Sequence, residues 1–285
     1  MKLQFTKMQG AGNDYIYLAC RQSGVPAQAP VLEARLSRRH FSVGADGLFC
    51  IAPPMLADAD ATMVMYNADG SEGVMCGNGV RCVAEYLYTH GVVKDRIELD
   101  TPRAGRKTLY RTAPHSWCAG MGRFSVRAED IPAVGLGAGP LLDVPLVAAG
   151  RNWQVGCISM GNPHCVVAGQ AQLPDAAQLA VWGGTLERHP AFPQGTNVEF
   201  VQIHTPEHIS AAVWERGSGA TLACGTGACA AVALLVLRGG CPWGKAVEVT
   251  MPGGTLSVCV LEDDTVLLSG PARTVFEGVV EVPEG

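Results

Sequence analysis

The sequence predicts an α+β protein built as two pseudo-symmetric halves, each a curved mixed β-sheet wrapped around a central helix, with a functional site in the cleft between them. Three observations predict this. Two long apolar helices are expected, each introduced by cysteine and a Gly-X-Gly turn, at "EGVMCGNGVRCVAEYL" (Glu72 to Leu87) and "ATLACGTGACAAVALL" (Ala220 to Leu235). Short β-rich runs such as "ATMVMYN", "VEFVQIH" and "LSVCVLE" fill the remainder. Landmarks then recur in one order at nearly constant spacing along the chain.

The repeat spans half the protein. Cys76 and Cys224 are 148 residues apart, and a helix-stopping glycine, Gly91 or Gly239, follows each after fifteen residues. Each helix leads to a strand-like run and a Pro-Gly turn, at Pro102 and Pro252. Upstream, "GND" at Gly12 matches "GNP" at Gly161, "GAD" at Gly44 matches "GTN" at Gly195, and "YNADG" at Tyr66 stands opposite "WERGS" at Trp214. These landmarks define halves over residues 1–130 and 145–275, a glycine-rich linker over 131–144 and a C-terminal tail over 276–285. The helix "ACAAVALLVL" is apolar on every side, so it is expected to be buried.

Composition narrows the function. A hydrophobic fraction of 48% with 16% charged residues supplies real cores and argues against disorder. The net charge is -5 and no basic run exceeds Arg38-Arg39, which argues against nucleic-acid binding. The N-terminus has no apolar stretch of signal-peptide length, and the longest apolar run is about half of what spans a bilayer. A cytoplasmic protein with no membrane partner is expected. Eleven cysteines without CxxC or Cys/His ligand spacing predict neither a disulfide scaffold nor a metal site.

Both cysteines precede a helix start, where glycines expose backbone N–H groups that bind a carboxylate. The same positive helix end is expected to lower a nearby thiol pKa from about 8.5 toward neutrality. A carboxylate cradle plus an activatable thiol in each half suits one reaction: one thiolate removes an α-proton, and the opposite thiol returns a proton to the other face. Such an inversion calls for no cofactor. Two thiols facing one carbon are also expected to form an inactivating Cys76–Cys224 disulfide under oxidation.

At these residues the sequence resembles the diaminopimelate epimerase family. "NADGSEGVMCGNGVRC" and "ERGSGATLACGTGACAA" look like its two signature segments. "GAGNDY", "VGADG", "GNPHCV", "TNVEF" and "MPGG" fit it in order over nearly the whole chain. The resemblance implies a cofactor-independent epimerase that interconverts LL- and meso-diaminopimelate in lysine and peptidoglycan precursor synthesis, working as a homodimer. It assigns catalysis to Cys76 and Cys224, with His164 and Glu215 in support. It assigns the carboxylate cradles to Gly77 and Asn78 and to Gly225 and Thr226. Asn13, Asn67, Asn162, Asn197 and Arg216, with Glu215, match its substrate-binding residues.

Plainer readings stand beside these. Cys82 and Cys229, inside the helices, are expected to pack. His164 could hold a turn, and asparagines beside Gly, Thr or Pro often only make turns. Arg81 is expected in an intrachain ion pair, and Arg38, Arg39 and His40 at a solvated helix end. Two departures from the family pattern are Gly47, where some members carry a substrate-contacting glutamine, and Phe276, where some carry a tyrosine at the dimer interface. Competing functions are a two-cysteine racemase for proline or hydroxyproline, which typically has histidine where this chain has Asn78, and a racemase for another amino acid such as histidine. A Cys–His hydrolase using His164 and a non-catalytic carboxylate-binding protein are the readings from other classes.

Overall fold

The computed structural model describes residues 2–137 and 139–282. Packing divides the chain into two compact units, Met1–Ala119 with Ser269–Gly285, and Gly120–Leu268.

The first unit opens with the hairpin β1 (Lys2–Gly10) and β2 (Asn13–Ala19), followed by α1 (Ala29–Leu36). β3 (Gly47–Ala52) runs parallel to β2, and β4 (Ala61–Asn67) returns antiparallel to β3. After α2 (Gly77–Thr89), β5 (Arg96–Thr101) joins β4 in parallel, and β6 (Gly105–Ala113) and β7 (Ser116–Arg123) extend the meander.

The second unit repeats this topology. β8 (Val144–Ala148) and β9 (Arg151–Ser159) pair antiparallel, as do β9 and β10 (Pro163–Ala168). After α3 (Ala176–Glu187), β11 (Asn197–Thr205) lies parallel to β10, and β12 (His208–Glu215) antiparallel to β11. The short β13 (Gly219–Thr221) precedes α4 (Gly225–Leu237). β14 (Ala246–Met251) then joins β12 in parallel, and β15 (Gly254–Val260) pairs antiparallel with β14 before β16 (Thr265–Pro271). The succession antiparallel, parallel, antiparallel, parallel, antiparallel is therefore common to both units, with α1 and α3, then α2 and α4, entering at the same steps. That is the two-halves α+β fold expected from the repeat.

Each central helix is buried along its length. In α4 every residue from Ala228 to Val236 is buried, so its lack of a polar face is satisfied by strands on all sides. Full burial of each Leu or Val there contributes roughly 1.5–3 kcal/mol. α2 is buried equally although it carries Arg81 and Glu85. Glu85 accepts from Trp117 Nε1 and His115 Nδ1, each at 2.7 Å, and Arg81 donates to Gly77 O at 3.0 Å. Both helices end at a left-handed glycine, Gly91 (φ 100°) and Gly239 (φ 73°), where the sequence placed the stops.

The packing units are cut at other points than the repeat. The expected linker is anchored at two points: Ile131 and Leu141 are buried in the second unit's core, and Leu141 O accepts from Cys157 N at 2.7 Å. Residues 276–281 of the expected tail lie in a strand. β17 (Arg273–Glu281) pairs antiparallel with β1 from Lys2 to Gln9, because the free edge of β1 needs backbone partners. Phe276 on β17 is 46% exposed and packs edge-on against Phe5.

A glycine at the third helical position sets how close each helix comes to its sheet. A β-carbon on Gly79 would lie 2.1 Å from the Phe49 ring, and one on Gly227 would lie 2.7 Å from Glu199 Oε1. Alanine at either site is expected to lower unfolding stability by about 2–3 kcal/mol in urea titrations. The helix-propensity gain of ~1 kcal/mol opposes this loss, so a net stabilisation would show that the close approach does not exist.

Candidate active site

The two cysteines occupy the same structural position. Cys76 is the N-cap of α2 with φ −132° and ψ 119°, and Cys224 is the N-cap of α4 with φ −122° and ψ 114°. Each sulfur accepts from the backbone N–H three residues on, Gly79 N or Gly227 N, at 3.4 Å. Sulfur thus takes the place that a serine or aspartate oxygen usually fills at a helix start. The first-turn amides of Gly77 and Asn78, and of Gly225 and Thr226, have no partner within their helices, which suits them to an anion.

Around Cys76 a hydrogen-bond chain fixes the amides. Arg81 Nη2 donates to Asn78 Oδ1 at 2.7 Å, and Asn78 Nδ2 donates to Asn13 Oδ1. Asn13 Nδ2 in turn donates to Asp46 Oδ2 at 3.3 Å. A guanidinium at one end can only donate and a carboxylate at the other can only accept, so both amide orientations follow. Arg39 braces Asp46 at 2.8 Å and also pairs with Asp14, which Lys7 meets at 2.7 Å. Burial alone would raise the Asp14 carboxyl, but the bonds from Arg39 and Lys7 outweigh it and hold it below the usual range. Arg39 is solvated just past α1, as expected, and its guanidinium also supports Asn13 through Asp46. Asn67 turns to its own loop and donates to Ser71 Oγ at 3.0 Å. A β-carbon on Gly47 would meet Tyr66 O at 2.6 Å, so glutamine would not fit that strand as it stands.

Around Cys224 the same repeat positions hold different chemistry. His164 and Glu199 are wholly buried, and His164 Nδ1 donates to Glu199 Oε1 at 2.7 Å. His164 Nε2 lies 3.0 Å from Asn162 Oδ1, and Asn162 Nδ2 donates to Thr226 Oγ1 at 3.4 Å. Thr226 Oγ1 is 3.5 Å from Cys224 Sγ. Glu215 Oε1 accepts from Thr221 Oγ1 at 2.6 Å. Asn197 Nδ2 donates to Pro163 O and its Oδ1 accepts from Arg216 N, at 2.9 and 3.0 Å. Arg216 is exposed and directs Nη1 to Gln194 O at 3.2 Å.

The electrostatics correct one expectation. The helix end does not bring the Cys224 thiol toward neutrality. Burial pushes its pKa well up, the charges of Glu215 and Glu199 push the same way, and the bonds from Thr226 and Gly227 only partly offset them. Burial likewise raises the Glu215 carboxyl, with the Thr221 hydroxyl opposing and Glu199 adding to the rise. Sequence reading missed Tyr15, Asp46 and Glu199 as neighbours of the site. Each lies inside a quoted motif, and the two-residue period of a strand puts Glu199 on the same face as Asn197.

The fold recurs in a solved hydroxyproline epimerase from Agrobacterium vitis with bound trans-4-hydroxy-L-proline. The TM-score is 0.70 at 16% identity, covering 98% of this chain and 92% of that one. That likeness is one of fold, and the site set on it here is a pair of cysteine-capped helices. The family model described as diaminopimelate epimerase matches residues 5–122 and 156–275. Diaminopimelate epimerase of Pelotomaculum thermopropionicum is 43% identical, covering 97% of this chain and 98% of its own, and that of Microcystis aeruginosa is 41% identical over 99% and 100%. The chain belongs to the diaminopimelate epimerase family.

Because Glu215 charge contributes to the raised Cys224 thiol, Glu215→Gln is expected to lower that thiol's pKa. Iodoacetamide labelling of Cys224 at pH 8, followed by peptide mass spectrometry, is expected to be several-fold faster in the variant, since only the thiolate reacts. An unchanged rate would show that Glu215 does not act on Cys224.

Proposed function

We propose that the chain interconverts LL- and meso-diaminopimelate by removing a proton at one α-carbon with one cysteine and returning a proton to the opposite face with the other. The observation that carries this reading is the pair of cysteine N-caps with matched dihedrals and matched sulfur–amide bonds, in a chain of this family. Residues 1–130 and 145–275 are read as the repeated halves that each supply one thiol. Both proton transfers are assigned to side chains of the chain itself, so the reaction as written uses no pyridoxal phosphate.

The supporting roles follow from chemistry. The first-turn amides of Gly77 and Asn78, and of Gly225 and Thr226, hold the carboxylate beside the reacting carbon, where negative charge builds up. Asn13 and Asn162, fixed by their neighbours, present amides beside these cradles. Asn67, Asn197 and Arg216 take the remote amino-acid end, the guanidinium forking onto its carboxylate. Glu215 meets an ammonium group, and His164 steadies Asn162. Both ring nitrogens of His164 are turned to Glu199 and Asn162, which tells against a Cys–His hydrolase.

A homodimer is part of the same reading. Its support is the exposed apolar set Val275, Phe276 and Val279 on β17. A cytoplasmic setting is also proposed; no helix among the described residues is long and apolar enough to cross a membrane.

The substrate is tested by incubating the protein with LL-diaminopimelate, proline, trans-4-hydroxyproline and histidine and resolving the stereoisomers by chiral chromatography. Only diaminopimelate is expected to isomerise. Arg216→Met is expected to raise KM at least tenfold with a smaller change in kcat, as the loss of a charged bond to the remote end predicts. Turnover of a substrate that lacks a second amino-acid end would overturn the assignment of Arg216.

A further inference from the structure

We propose that Tyr15 is a further catalytic residue of the Cys76 half-site, its phenol hydroxyl stabilising the Cys76 sulfur as a thiolate. The proposal rests on the reading that Cys76 carries a proton in the reaction.

Tyr15 Oη lies 3.1 Å from Cys76 Sγ, closer than the Gly79 amide at 3.4 Å. The side chain is 5% exposed, and its ring is held edge-on against Phe49, with centroids 4.9 Å apart and planes at 85°. Phe49 is itself stacked on Tyr17 at 5.1 Å and fills the space beneath Gly79. The ring stack therefore delivers the Tyr15 hydroxyl to the sulfur, while the neighbouring Tyr17 hydroxyl is used elsewhere, on Gly79 O at 3.2 Å. A phenol both donates and accepts. Its O–H donates to the thiolate, and after proton capture the S–H donates back to the same oxygen. Bonds to a charged partner are the stronger ones, so the contact favours the thiolate without moving any heavy atom.

The other half shows that a hydroxyl beside the sulfur is a recurring device. Position 15 in the repeat corresponds to His164, which is turned to Glu199, and Thr226 places its hydroxyl 3.5 Å from Cys224. Thr226 corresponds to Asn78, which is engaged with Arg81 and Asn13. A hydroxyl thus stands beside each thiol, supplied from non-equivalent positions of the repeat.

The test is the pH profile of iodoacetamide alkylation at Cys76, read by peptide mass spectrometry, in the wild-type protein, Tyr15→Phe and Tyr17→Phe. Tyr15→Phe removes one oxygen and keeps the ring stack. It is expected to move the Cys76 profile to higher pH and slow labelling at pH 7 about fivefold, the equivalent of one ordinary hydrogen bond. The Cys224 profile is expected to stay in place, and Tyr17→Phe to change Cys76 labelling less than twofold. An unmoved Cys76 profile in Tyr15→Phe, or equal shifts at both thiols or in both variants, would overturn the assignment. Should Tyr15→Phe not fold, protein grown on 3-fluorotyrosine, a more acidic phenol, is expected to show the Cys76 profile moved to lower pH, and no movement overturns the proposal. Labelling needs no turnover, so the two readings fail separately: inactivity on diaminopimelate would sink the functional reading, while the alkylation profile alone decides whether Tyr15 favours the Cys76 thiolate.

Discussion

The close approach of each central helix to its sheet is the constraint on which the rest depends. A cysteine caps the helix, and the glycine three residues on gives its N–H to the sulfur while leaving room for a strand side chain beneath. Phe49 fills that space in one half and Glu199 in the other. Replace the glycine and the helix must lift, which would carry the sulfur and the first-turn amides with it. The burial of α2 and α4 on all sides makes such a shift costly, so the geometry at the sulfur is inherited from packing far along the helix.

What lies beneath the helix makes two matched frames chemically unlike. Under α2 the floor is aromatic and neutral, and polar order comes from the side, through Arg81, Asn78, Asn13 and Asp46. Under α4 the floor is a buried carboxylate bonded to a buried imidazole. Glu199 and Glu215 both act on Cys224, and together with burial they outweigh the helix end and the two bonds to the sulfur. Like-charge and desolvation effects exceed the helix macrodipole here because the dipole is worth about 0.3–1 kcal/mol and the thiol is nearly enclosed.

Much of this was legible in the sequence. The repeat, the two helices, their glycine stops and both cysteines stand out because each depends on local pattern: apolar periodicity, turn residues and fixed spacing. Thr226 stands out because it follows Cys224 by two residues, and Asn162, 62 residues from Cys224, because it lies in the motif "GNPHCV". Interactions between distant strands were not legible. Nothing near residue 76 in sequence says that the hydroxyl of Tyr15 meets it, and nothing near 39 says that its guanidinium crosses to Asp14 and Asp46. The rise in the Cys224 thiol was missed for the same reason, since Glu199 is 25 residues away in the chain and acts through space. The pairing of β17 with β1 joins the two ends of the chain, and a repeat read along the sequence cannot show where a shared edge is closed. The segment 131–144 reads as a linker because three glycines fall within Gly135–Gly139, while Ile131 and Leu141 on either side do the anchoring.

The central claim is that each capped helix contributes one proton-transfer thiol. The most direct measurement is the early time course of LL-diaminopimelate turnover in heavy water, with substrate and product separated and their α-hydrogen content read by proton NMR and mass spectrometry. Two thiols acting from opposite faces predict deuterium in the meso product while the recovered LL substrate keeps its protium, and loss of isomerisation in both Cys76→Ala and Cys224→Ala. Deuterium entering recovered substrate as fast as product, or isomerisation surviving in either variant, would contradict the account.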